Sequence, residues 1–276
     1  MLTRYLCASL SLLIATSAST QVKAPTADSL NAISTRGRLL AEYDQAAWHA
    51  TDGVLAQRPA AGSIQGYVGL KQAGRWIVAF GRLSADSNSF LIAYEARQSV
   101  TKPDSFTVTR LEPARVDTSE FLRPARALYT SRADFGTPGR RYNAAVLPAR
   151  EGGWHVYLMP AQTQARIFPL GGDVRYTIAA DGRSIVVKRQ LHNSIIEFGG
   201  AFREGAAPAA GIHSAVLDNV PEDTDVFHVL SRAPKVPEYV VTSVFAYRVD
   251  LSGEIHLLGR REELVGPDGS FRPPKP

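Results

Sequence analysis

Between residues 65 and 111 the chain is cut into short runs of Val, Ile, Tyr and Phe, with no stretch between consecutive runs long enough for a helix. Runs at 65–70, 75–83, 90–96 and 106–111 predict strands, and Lys71-Gln72-Ala73-Gly74 and Ser84-Ala85-Asp86-Ser87-Asn88 predict turns between them. Parallel strands need a crossover of a dozen or more residues, so this region must pair antiparallel.

The same texture returns after residue 141. Runs at 143–148, 154–160, 165–168, 174–179, 184–190, 212–217, 226–231, 239–249 and 254–258 predict further strands, while 191–198 also suits a brief helix. Asp181-Gly182 and Ser252-Gly253 are the sharpest hairpin turns.

Two segments carry helical periodicity instead. Over 28–55, Leu30, Ile33, Leu40, Tyr43, Ala47, Ala50 and Val54 recur at spacings near three and four, which predicts one long amphipathic helix ended by Arg58-Pro59. Gly37 and Gly53 each weaken it by about 1 kcal/mol relative to alanine, so each is a point where it would break. Asp117-Thr118-Ser119-Glu120 resembles a capping box leading into Phe121, Leu122, Ala125, Leu128 and Tyr129. Pro124 there demands a kink or a helix start. The fold class is therefore α+β, mostly antiparallel sheet with one long N-terminal helix and one shorter central helix. The globular region is expected over 28–265, as one unit or as subdomains 28–113 and 141–265. A polar lead-in at 19–27, an exposed mobile loop at 199–211 and a disordered tail at 266–276 complete the layout.

Residues 1–18 read as a secretory signal peptide: Arg4, an apolar run from Leu6 to Ile14, then small residues. The run is far shorter than the ~20 residues a membrane helix needs, and no later stretch approaches that length. Export to the periplasm or the exterior is the expectation, with a Gram-negative envelope favoured. Cys7, inside this leader, is the chain's single cysteine. The remainder therefore lacks internal disulfides, thiolate metal sites and cysteine nucleophiles, and its fold must rest on packing.

A composition of 45% hydrophobic and 21% charged residues is that of a globular protein and excludes wholesale disorder. The net charge of +5 is spread along the chain without a basic stripe, which argues against nucleic acid as a partner. H-E-x-x-H, G-x-S-x-G, Walker and dinucleotide-glycine motifs are all missing, so the familiar hydrolase, P-loop and Rossmann chemistries are disfavoured.

Two functional readings follow. The first is a non-catalytic exported protein that binds an envelope protein or small ligand. The second is a metal-binding protein or metal-assisted hydrolase. Its candidate ligands are His192, His213 and His228, flanked by Glu197, Asp218, Glu222, Asp223 and Asp225, with a divalent ion such as zinc as the cofactor. Strand alternation would set His213 and His228 on largely apolar faces, where structural histidines are ordinary. The segment Pro221-Glu222-Asp223-Thr224-Asp225 suits either a carboxylate loop for a hard cation, though without EF-hand spacing, or a solvated turn leading into a strand at Val226. His49 and Asp52 share a helix face at general-base spacing, and Gly171-Gly172-Asp173 forms a turn where a ligand would reach the backbone.

Overall fold

The computed structural model describes residues 22–199 and 208–274. The expected signal peptide and residues 200–207 of the expected loop lie outside the described residues.

Helix α1 (Ala27–Leu55) begins at Thr26, whose side chain accepts from the Ser29 amide at 3.2 Å, and buries Leu30, Leu40, Tyr43, Ala46, Ala50 and Val54 along one stripe. It runs unbroken through both glycines. A Cβ on Gly37 would lie 2.6 Å from the Asp223 carbonyl and overlap Val226, so the glycine is there to let another helix approach.

The meander forms as its spacing requires: β1 (Gly66–Gln72), β2 (Arg75–Leu83), β3 (Phe90–Gln98) and β4 (Phe106–Asp117) pair antiparallel in chain order. After β4, one oxygen of Asp117 accepts from the amides of Ser119, Phe121 and Leu122 and starts α2 (Leu122–Phe135). Pro124 falls in the first turn of α2, where its missing N–H breaks no helical bond.

The next elements are β5 (Tyr142–Pro148), β6 (Trp154–Pro160), β7 (Ile167–Gly171), β8 (Val174–Ile178), β9 (Ile185–Gln190) and β10 (Ile195–Gly199). Strands β5, β6, β8 and β9 make a second four-stranded sheet in that order, and β7 pairs with β10. Residues 195–199 are thus strand rather than the brief helix considered above. A third sheet has the order β11 (Gly211–Ser214), β12 (Glu238–Val241), β13 (Phe245–Val249) and β14 (Ile255–Arg260). At 38% strand against 23% helix, sheet dominates the molecule.

The structure corrects the expected layout in three places. The 226–231 segment, expected as a strand, belongs to helix α3 (Asp223–Ser231), which adds a helix to the two predicted. A capping box starts it, with the Glu222 amide donating to Asp225 Oδ2 at 2.8 Å, and acidic side chains in the first turn suit the helix dipole. Because α3 lies between β11 and β12, those strands pair in parallel, the one parallel pair among the described strands. The 239–249 run is two strands, turned where Thr242 Oγ1 accepts from the Phe245 amide at 2.9 Å. Finally, after the short α4 (Arg261–Leu264), the tail folds back: Val265 bridges Phe271, whose ring packs at a tilt against Tyr239 with centroids 5.1 Å apart.

The meander and the second sheet contribute to a common hydrophobic cluster. Val68, Ala79, Phe90 and Ile92 join Val146, Val156, Leu158 and Tyr176 in one cluster, together with Ala125 and Leu128 of α2. A third cluster joins Leu30 and Ile33 of α1 to Val226 and Val229 of α3 and to Val240, Tyr247 and Val249 of the third sheet. Among the described residues no helix is long and apolar enough to cross a membrane.

Candidate metal centre

The N-terminus of α3 carries three buried acids, and each is held by a different part of the fold. Glu222 pairs with Arg189 of β9. Asp223 takes Arg36 of α1 at 2.9 Å, the hydroxyl of Tyr157 on β6 at 2.7 Å, and Arg175 of β8. Asp225, fully buried, faces two imidazoles: its Oδ1 lies 3.1 Å from His192 Nε2 and 3.2 Å from His213 Nε2.

Each of those imidazoles is oriented from behind. His192, in the bend after β9, donates from Nδ1 to Asp173 Oδ1 at 2.8 Å. Asp173 stands in the β7–β8 turn beside Gly171, whose φ of 84° no side chain would favour, and a Cβ there would press on His192 at 3.0 Å. This glycine turn makes room for the histidine. His213, on β11, donates from Nδ1 to Glu238 Oε1 at 2.9 Å, and Glu238 Oε2 accepts from Arg232 at 2.6 Å. Gly211 leaves room for that carboxylate, since a Cβ would fall 2.8 Å from Glu238 Cδ.

The inner atoms are not hydrogen-bonded in turn. His192 Nε2, His213 Nε2 and Asp225 Oδ1 are all buried without a hydrogen-bond partner, although they lie close together. His192, His213 and Asp225 each offer one ligand atom, and these atoms lie within 4.8 Å of one another. The two imidazoles also line a small cavity of about 40 Å³.

The electrostatics follow from this packing. Burial opposes the cation on His192, but the charge of Asp225 and the bond to Asp173 outweigh it and raise the ring to about 11. Burial likewise opposes His213, which Asp225 and Glu238 together raise to about 9. Burial would raise Asp225, yet the two imidazoles hold it well below the usual carboxylate range. Glu222 is pushed up to about 8, chiefly by burial.

Of the three candidate histidines, the structure brings together His192 and His213 and separates His228. His228 sits on α3 with its ring at 5.7 Å from that of Phe198, and burial and the nearby Arg232 depress it to about 3. Its place in the cluster is taken by Asp225, a flanking acid in the sequence pattern. Of the other flanking acids, Asp218 pairs with Arg189 at 2.7 Å and Glu197 with Arg140 at 2.6 Å. Glu238 was missed altogether, and Asp173 was noted only as part of a glycine turn, because nothing in their local sequence marks a residue that supports an imidazole from another strand. His49 does not pair with Asp52 but stacks on Trp48 at 4.8 Å and lies 3.7 Å from Asp104.

A second acidic group, Asp250, Glu254 and His256, is partly or fully exposed at the β13–β14 turn, where Asp250 Oδ1 already accepts from Ser252 and Glu254. No protein-family model, curated protein or solved structure matches this chain.

Proposed function

We propose that this is a metal-binding protein that holds one zinc-type divalent ion through His192 Nε2, His213 Nε2 and Asp225 Oδ1. The observation that carries the reading is that these three atoms are buried and face only one another, with no regular hydrogen bond among them, while the opposite nitrogen of each imidazole is fixed by its own carboxylate. Ligands about 2.0–2.1 Å from a tetrahedral ion stand about 3.3 Å apart, close to both spacings found here. Carboxylates behind ligating imidazoles set the tautomer and raise the basicity of the ligand nitrogen.

Charge supports the same reading. Without a metal, Asp173, Asp225 and Glu238 carry three formal negative charges against three positive ones on His192, His213 and Arg232. A divalent ion that displaces the two imidazole protons leaves that sum unchanged, so binding creates no uncompensated charge in the interior.

The role is binding rather than hydrolysis. The three ligand atoms are buried, and the cavity of about 40 Å³ that the two imidazoles line is too small for a substrate. With the leader pattern of residues 1–18, the reading becomes an exported metal-binding protein of a bacterial envelope.

The test is metal analysis and calorimetric zinc titration of protein purified without a histidine tag. One equivalent per chain, lost in His213→Ala and in Asp225→Ala while circular dichroism stays unchanged, supports the reading. Absence of binding, or binding that survives both substitutions, overturns it.

A further inference from the structure

A cleft of about 770 Å³ lies between α1, the strand β7 and α3, on the far side of Leu170 and Gly171 from the imidazole cavity. Its volume is in the range of small-molecule sites, about 300–1,000 Å³. Three features describe what it would accept.

The first is a row of unsatisfied polar atoms on α3. Thr224 and His228 are 3% and 4% exposed, both line the cleft, and Thr224 Oγ1 and His228 Nε2 have no hydrogen-bond partner; Ser231 Oγ, a further turn along, is also unpartnered. At a spacing of four and then three residues they form one stripe. Buried polar atoms without partners are costly, at about 1–3 kcal/mol each, so a stripe of them marks a surface built to receive hydrogen bonds from elsewhere.

The second is an aromatic lining. Trp48 of α1 is 56% exposed at the wall of this cleft, an unusual setting for the largest apolar side chain, and Phe168 and Phe227 line it as well.

The third is charge. Arg141 and Arg166 line the cleft, are exposed and make no ion pair among the described residues. Of the two carboxyls on the wall, Asp173 is bound to His192, and burial raises Asp44 to about 6. Ionised Asp44 offsets one of the two guanidiniums at neutral pH, and the wall keeps a net positive charge.

We propose that this cleft binds a small organic anion with an aromatic body, whose ring packs beside Trp48, whose polar substituents meet the α3 stripe, and whose acid group is held by Arg141 and Arg166. A guanidinium suits carboxylate, sulfonate and phosphate oxygens through paired N–H donors. The proposal is independent of the metal centre.

The test compares two fluorescent probes, 1-anilinonaphthalene-8-sulfonate and its uncharged relative N-phenyl-1-naphthylamine, titrated into the purified protein. Saturable binding of the sulfonate at one site, about tenfold or more tighter than the neutral probe, is expected. Arg141→Gln combined with Arg166→Gln should erase that preference, and Trp48→Ala should weaken both probes. All three substitutions are at exposed positions, so an unchanged circular dichroism spectrum and Tm serve as controls. Equal affinity for the two probes, a sulfonate affinity unmoved by the arginine substitutions, probe binding unaffected by Trp48→Ala, or no saturable binding each overturns the proposal.

Discussion

His213 and Glu238 meet across a parallel strand pair, with Nδ1 of the imidazole 2.9 Å from Oε1 of the carboxylate. Glu238 pairs in register with Gly211, two residues before His213 and on the same face of the sheet, so the parallel alignment itself brings the two side chains together. Glu238→Gln is expected to reduce zinc affinity by about 10–100-fold, as loss of such supporting carboxylates does. It also leaves Arg232, 1% exposed, without its counter-charge, at a cost of about 3–5 kcal/mol. Calorimetry reads the first effect and urea denaturation the second.

The ligand set can be separated residue by residue. His192→Ala, His213→Ala and Asp225→Ala should each abolish stoichiometric zinc binding, whereas His228→Gln should leave it in place. If His228→Gln releases the metal and Asp225→Ala does not, the set of three histidines is correct and the geometry described above is not.

Zinc binding should be accompanied by proton release. Near pH 7.5 both His192, raised to about 11, and His213, raised to about 9, are protonated in the metal-free protein, and both must be neutral to ligate. About two protons per ion are therefore expected, read from the dependence of titration enthalpy on the ionisation enthalpy of the buffer. Release near zero would mean that the ion binds elsewhere.

Gly37→Ala would be stabilising in an isolated helix by about 1 kcal/mol. Here the added methyl meets the Asp223 carbonyl at 2.6 Å and overlaps Val226, so the substitution should destabilise the protein by about 1–3 kcal/mol in denaturant titration.

Asp44 supplies a pH dependence away from the metal centre. Burial raises it from 3.8 to about 6, so the fold favours its neutral form. Below the lower value the group is neutral in both folded and unfolded chains and has no effect. Stability is lost as pH rises from about 4 to 6 and stays lost above that. Asp44→Asn should therefore raise the Tm at pH 7.5, corresponding to about 1–2 kcal/mol after allowance for solvent screening of a half-buried group, and leave it unchanged at pH 3.5. An equal gain at both pH values would assign the effect to something other than charge.

Much of the architecture was determined by the sequence alone, because it is written in local periodicity. Apolar spacing of three and four marked α1, and short β-branched and aromatic runs between turns marked the meander β1 to β4, with antiparallel pairing following from the missing crossovers. Where local pattern was ambiguous the reading failed. Val226, Phe227, Val229 and Leu230 are as apolar as a buried strand, and only the capping geometry of Glu222 and Asp225 and the packing of Gly37 against Val226 make that segment a helix. With α3 misread, the parallel pairing of β11 with β12 was invisible too.

Tertiary structure alone decided the candidate centre. His192, His213, Asp225, Asp173 and Glu238 come from a bend, a strand, a helix, a turn and another strand, and no spacing rule relates positions on elements joined only by packing. Composition exposed the histidines as candidates, since His192 and His213 were read from sequence. It could not distinguish His228 from Asp225 as the third member, because α3 directs the carboxylate toward the two imidazoles and the His228 ring toward Phe198. That choice is set by helical rotation: residues three apart on an α-helix differ by about 60° in direction, enough here to place one side chain in the cluster and the other on the wall of the cleft.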